Sequence, residues 1–173
     1  MMASCEFCQA MEEGHLLVNE ETTTDALLFH KPATKGHVII VPKQHFPIIE
    51  QVSHTIIEDM AQHAKRIALA IAKGFKAQGI SLFLQNGIAA GQSIPHTGIH
   101  VLPRFAGDEI PLTWVPKQLS EEDMNLVEKK LKDEAKNVHI PLEEEAPLVK
   151  EKTEEVSKDN KDNYLLRQLR RIP

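Results

Sequence analysis

Gly91-Gln-Ser-Ile-Pro-His96-Thr-Gly98-Ile-His100-Val-Leu-Pro103-Arg104 holds the densest chemistry in this chain. The run from about Thr97 to Pro103 reads as a strand, bounded by proline and alternating in character. Side chains at i, i+2 and i+4 of a strand share a face, so positions 96, 98 and 100 line one surface while Thr97, Ile99 and Val101 line the other. Two histidines thus flank a glycine. Glycine inside a strand weakens it and marks a bulge or a close approach, so Gly98 breaks a local rule between two groups able to carry chemistry.

Working outward, Ile80 to Gln85 reads as a strand joined to the first by Asn86-Gly87, the two pairing antiparallel. From Ser53 to about Gln78 apolar residues recur at Ile56, Ile57, Met60, Ala64, Ile67, Ala68 and Ile71, a helical spacing with Ser53 as cap and Gly79 as stop. His54 and His63 on that helix are expected to face solvent. His37-Val-Ile-Ile-Val41 is apolar on both faces, as a central strand is. His15 to Val18 and Ala26 to His30, separated by Asn19-Glu-Glu-Thr-Thr-Thr-Asp25, read as a hairpin. Ser120-Glu-Glu-Asp123 has the capping-box form ahead of Met124, Val127, Leu131 and Ala135, predicting a second helix. The fold class expected is α+β: an antiparallel sheet of about five strands with one long helix packed on it, plus a C-terminal helix and a charged tail. Residues 1–140 are read as one domain. Residues 141–173 form a charged extension, poor in apolar groups from Glu143 to Asn163 and ending in a short amphipathic segment, Tyr164 to Pro173.

Composition narrows the function. A formal charge of -5 over 173 residues gives no general attraction to phosphate backbones, which argues against a nucleic-acid binder and leaves a small nucleotide open. The chain has no membrane-length apolar run and no signal-peptide pattern at its start, so a cytoplasmic protein without a membrane partner is expected. The two cysteines, Cys5 and Cys8, cannot staple the chain, and in a reducing compartment such a C-x-x-C pair points to metal or redox chemistry.

The signature resembles that of the histidine triad (HIT) superfamily, G-Q-x-φ-x-H-φ-H-φ-H-φ-φ-P-R with φ apolar, matching at Gly91, Gln92, Ile94, His96, Ile99, His100, Val101, Leu102, Pro103 and Arg104. Lys35-Gly-His37-Val-Ile-Ile-Val-Pro42-Lys43-x-His45, the long helix and Asn86-Gly87 follow the family's order over roughly residues 5–105. Its middle histidine is absent; Gly98 stands in its place. The resemblance implies transfer of a nucleoside-5′-phosphoryl group from an AMP-like phosphoramidate or dinucleoside polyphosphate to the middle histidine and then to water or another acceptor. An imidazole suits this, being partly unprotonated near neutrality and forming a labile phosphoramidate. Glycine does not, so the chain is expected to be catalytically crippled. Deliberate removal of the nucleophile and a natural nucleotide-binding sensor or scaffold are both open as origins of that glycine.

The resemblance also implies roles for other residues. His100 and His37 would hold tautomers and protons beside position 98, and Gln92 and Ser93 would hold phosphoryl oxygens, with Asn86 near the substrate. Phe7, Phe29 and His30 fall where relatives sandwich the base and contact ribose, although aromatic residues at strand ends are commonly core. Several branches hold zinc with a C-x-x-C pair and two distant histidines, here Cys5, Cys8, His45 and His96; such a closed set is structural. An oxidisable thiol pair or an unliganded, frayed terminus is the other reading. Homodimers with a continuous sheet are the family's habit.

Overall fold

The computed structural model describes residues 5–138; His139, the charged stretch 143–163 and the terminal segment 164–173 lie outside the described residues. Five strands, β1 (Leu17–Glu20), β2 (Thr24–Leu28), β3 (Val38–Pro42), β4 (Gly79–Leu84) and β5 (Ile99–Arg104), form one antiparallel sheet in the order β1-β2-β3-β5-β4. The apolar run of β3 earns its central place, all five of its residues being buried. Helix α2 (His54–Phe75) follows the predicted spacing, with Ser53 Oγ accepting from the Ile56 N–H at its start. It ends at Lys76 in the left-handed conformation, three residues before the glycine expected to stop it.

Alternation along the strands divides the core in two. Ala26, Val38, Ile40 and Val101 pack with Met60, Ala64, Ile67 and Ile71 of α2. Leu27, Ile39 and Val41 point to the other face and pack with Ile94 and Phe7. Phe7 belongs to a short helix, α1 (Glu6–Glu12), which the sequence pattern does not announce. Seven residues show too little periodicity to declare a helix, and its Cys5 N-cap makes no side-chain cap bond.

The expectation that His54 and His63 face solvent is corrected. His63 is fully buried, because it sits on the same helical stripe as Met60 and Ile67. Its Nε2–H donates to Asn19 Oδ1 at 2.9 Å and its Nδ1 accepts from Thr24 Oγ1 at 2.8 Å, so both ring nitrogens are satisfied. His54 is half-buried, with its Nε2 out of solvent. Thr23 Oγ1 donating to Asp59 at 2.6 Å and Arg66 pairing with Glu21 at 3.0 Å complete a polar seam between α2 and the β1–β2 hairpin.

Compactness divides the described residues after Asp108. In the second unit, α3 (Glu121–Asn137) begins as its capping box predicts, Ser120 Oγ accepting from the Asp123 N–H at 3.1 Å. Its Met124, Val127 and Leu131 are exposed. No helix among the described residues is long and apolar enough to cross a membrane. Replacing His63 by alanine strands Thr24 and Asn19 and opens a cavity under α2, so urea unfolding at pH 7 should show a loss of about 2–4 kcal/mol. Asn19→Ala, which removes a single bond at the seam's outer edge, should cost about 1 kcal/mol.

Candidate functional site

Four potential ligands converge where α1 meets the bend before β5. Cys5 Sγ lies 3.4 Å and Cys8 Sγ 3.6 Å from His96 Nδ1, and Cys8 Sγ is 3.4 Å from His45 Nδ1. All four donor atoms fall within 4.8 Å of one another. Zinc–sulfur and zinc–nitrogen bonds at tetrahedral angles require ligand–ligand edges of about 3.3–3.8 Å, so the three sulfur–nitrogen separations fit that ion and the widest pair needs to close by about 1 Å at most. Tautomer chemistry agrees. His96 donates its Nε2–H to the Pro42 carbonyl at 2.9 Å, which leaves Nδ1 bare and aimed at the thiols, the outer-sphere arrangement common for metal-binding imidazoles. Burial first, and then the neighbouring Cys5 and Glu12, push the Cys8 thiol up to about 11; a divalent cation reverses that by binding the thiolates. These residues thus form a cluster able to hold a metal.

The second feature is a recess beside His100. Ala33 N–H donates to His37 Nδ1 at 3.2 Å, so the His37 proton sits on Nε2 and is given to His100 Nδ1 at 3.0 Å. In turn His100 carries its proton on Nε2, as a donor. The ring stacks on Phe83 at 4.8 Å and 10° and meets Phe29 in a T-shaped contact at 5.0 Å. Phe29, Gln92, Ser93, His96, Gly98 and His100 contribute to the lining, and only about 20 Å³ of the recess is open. Phe7 lines this recess and also a larger, mainly apolar chamber of about 230 Å³ that includes Leu27, Leu28, His15 and His30.

Two of the expected polar groups are engaged elsewhere. Gln92 accepts from Gly87 N–H at 2.7 Å and donates to the carbonyls of Pro47 at 2.7 Å and Ile94 at 3.0 Å, so its amide staples the bend. Asn86 accepts from Ile49 N–H and donates to Glu50, away from the recess lining. Ser93 lines the recess with an exposed side chain. His30 pairs with Glu6 at 3.4 Å at the chamber's rim. Three site residues escaped the sequence reading: Ile39, Phe83 and Gln85. Parity along β3 from His37, and along β4 through the register Phe83↔His100, is the signal that locates the first two. The Gln85 amide lies against Gly91, where a Cβ would come 2.5 Å from its Nε2; that flexible amide could swing aside, so it is the left-handed backbone, at φ 89°, that demands glycine there.

The HIT domain model matches residues 10–107, more than half of the chain. The chain belongs to the HIT domain family. An uncharacterized HIT-like protein of Saccharolobus solfataricus is 30% identical over 139 residues, covering 78% of this chain and 99% of that protein. The adenylylsulfatase HINT3 of Arabidopsis thaliana is 32% identical, covering 70% of this chain and 61% of its own length. A bis(5′-nucleosyl)-tetraphosphatase of Schizosaccharomyces pombe is 28% identical, covering 56% of this chain and 53% of its own length. Among solved structures, SMU.412c of Streptococcus mutans superposes with a TM-score of 0.71 at 28% identity, over 78% of this chain and 87% of that one. A zinc-bound histidine triad family protein of Mycobacterium smegmatis superposes at 0.58 with 29% identity, over 78% of this chain and 98% of that one. The five-stranded antiparallel sheet with its packed helix is therefore the HIT fold.

Within this HIT site His37 and His100 are held neutral. Burial, and then His100 beside it, lowers His37 from the ordinary 6.5 to about 4, and burial alone lowers His100 to about 4. The unfolded chain takes up protons near 6.5 while the folded one refuses them, so stability from this pair is present above about 6.5 and is lost as pH falls towards about 4. His37→Asn should flatten the fall of the urea midpoint between pH 7 and pH 4 relative to the parent. Acid loss of any ion held by Cys5, Cys8, His45 and His96 is common to both proteins and cancels in that comparison.

Proposed function

We propose that the chain is a HIT-type nucleotidyl hydrolase or transferase scaffold directed at the α-phosphate of AMP-like phosphoramidates or dinucleoside polyphosphates, with its covalent nucleotidyl-histidine step removed by glycine at position 98. The observation that carries this reading is the relay from Ala33 through His37 to His100, which leaves an N–H donor fixed beside the position where the nucleophile is missing. The relatives named as an adenylylsulfatase and a bis(5′-nucleosyl)-tetraphosphatase support chemistry at a nucleoside phosphoryl group.

On this reading the base enters the apolar chamber against Phe7, with Phe29 and His30 at its edge towards ribose, and Ser93 and His100 meet the phosphoryl oxygens. His37 fixes the His100 tautomer. Gln92 and Asn86 contribute by holding the bend that carries Ser93 and His96. Without a nitrogen at position 98 the α-phosphorus has no nucleophile from the chain, and no phosphoramidate forms. A second reading, a natural non-catalytic nucleotide sensor or scaffold, is favoured by one observation: Ile39 packs against Gly98, so that no imidazole-sized hole is left.

Calorimetry with AMP on the metal-loaded chain should give saturable binding, weakened at least tenfold by Phe29→Ala, while adenosine 5′-phosphoramidate is turned over at background. Absence of AMP binding up to millimolar concentration would overturn the reading. The Cys5, Cys8, His45 and His96 set is proposed to hold one structural Zn2+, pinning α1 to the strand beside the recess. Metal analysis of tag-free protein should find about one zinc per chain, and Cys8→Ser should lower both zinc content and Tm. A homodimer joined through β4 is proposed as well, since β4 is an outer strand of the sheet and its Leu82 is exposed.

A further inference from the structure

Gly98 is buried, and its backbone is not left-handed, so conformation does not demand glycine there. Space does. A Cβ at position 98 would lie 2.6 Å from Ile39 Cδ1, 2.9 Å from Ile39 Cγ1 and 3.3 Å from the Ile40 carbonyl. Real Cβ contacts do not come as close as the first two, so an added side chain must displace Ile39. Ile39 has little freedom to yield. It is 2% exposed, packs in a cluster with Phe7, Leu27, Val41 and Ile94, and pairs with His100 across the sheet. Branching at Cβ restricts its χ1, and the recess beside it holds only about 20 Å³ of open space. Moving the β3 backbone instead would disturb the register that brings His37 to His100.

We infer that Ile39 has taken the volume of the missing imidazole, so that Ile39 and Gly98 form one packing unit and two residues close off the covalent step. This goes beyond the proposed function, which places the loss at Gly98 alone, and it rests on that reading only for its consequence in catalysis. Restoring histidine at position 98 is then insufficient by itself. Free imidazole, which would rescue a site with a vacant hole, should not rescue this one, since the hole is filled.

The test is a double-mutant cycle on the full, metal-loaded chain, read first by thermal unfolding. In an ordinary strand, glycine to alanine raises stability. Here Gly98→Ala should lower Tm by roughly 4–12 °C through overpacking. Ile39→Ala should lower Tm through its cavity, and the double variant should recover several degrees relative to the sum of the two losses. Additive losses, or an unchanged Tm in Gly98→Ala, would overturn the inference.

Chemistry is read separately, by mass spectrometry for an adenylyl adduct and by turnover of adenosine 5′-phosphoramidate. In that step the imidazole nitrogen bonds the α-phosphorus, the P–N bond to the leaving group breaks, and the leaving amine takes a proton. Gly98→His alone should stay at background, and Gly98→His with Ile39→Ala should form adduct and exceed it at least a hundredfold. Full activity in the single histidine variant would sink the role of Ile39 and keep the nucleotidyl reading. A non-additive Tm cycle with no adduct in any variant would keep the packing unit and sink the nucleotidyl reading.

Discussion

The register between β3 and β5, with Val38 opposite Val101, Ile39 opposite His100 and Ile40 opposite Ile99, is the constraint on which the site depends. One strand has to serve two faces, because side chains alternate. Val38 and Ile40 anchor α2 on one side, and their burial fixes which way His37, Ile39 and Val41 point. A slip of one residue would send that apolar set to the wrong face, so the hydrophobic core enforces the register strongly. The histidine relay, the Ile39 contact with Gly98 and the His96 bond to the Pro42 carbonyl all follow from the same pairing.

A second dependence runs through α1. This helix has seven residues and no side-chain cap, too little to persist alone, so tertiary contacts must hold it. Phe7 supplies one hold, its ring 6.3 Å from Phe29 and 5.9 Å, edge on, from His96. Cys5 and Cys8 supply the other, on either side of Phe7 and close to His96 and His45. The cluster of potential ligands and the apolar chamber therefore share a wall. On the proposed reading, a cation held at the thiols and a ring held against Phe7 would both favour the docked helix, and two ligands that stabilise the same state stabilise each other.

What the sequence made legible is what periodicity and parity encode. The stripe Met60, Ala64, Ile67, Ile71 announced α2, and the run Val38 to Val41 announced a strand buried on both faces. The convergence of Cys5, Cys8, His45 and His96 and the pairing of His37 with His100 were legible through the ordered HIT motif. Helix α1 was not, because its order comes from contacts far away in sequence. The burial of His63 lay within reach of the same helical arithmetic, but a polar residue on the core stripe is readable only with its partners, Thr24 and Asn19, in view. The fate of Gln92 is similar: a motif gives a side chain's position, while the carbonyls that compete for its amide appear only in the folded bend.

On the proposed reading, Gly98 shows why the loss of one catalytic group propagates. A core packs close to crystal density, and a void of imidazole size in such an interior costs stability in proportion to its volume. Neighbours free to fill it will do so unless something else occupies them. His100 cannot move in, because its Nδ1 is tied to His37 and its ring is stacked on Phe83. His96 cannot, because the Pro42 carbonyl and the thiols hold it at both nitrogens. Ile39 has no polar obligations and lies on the face concerned, so it is the group whose packing can close the gap without stranding a buried polar atom. On the same reading the polar groups around position 98 keep their partners, while the apolar core alone absorbs the loss.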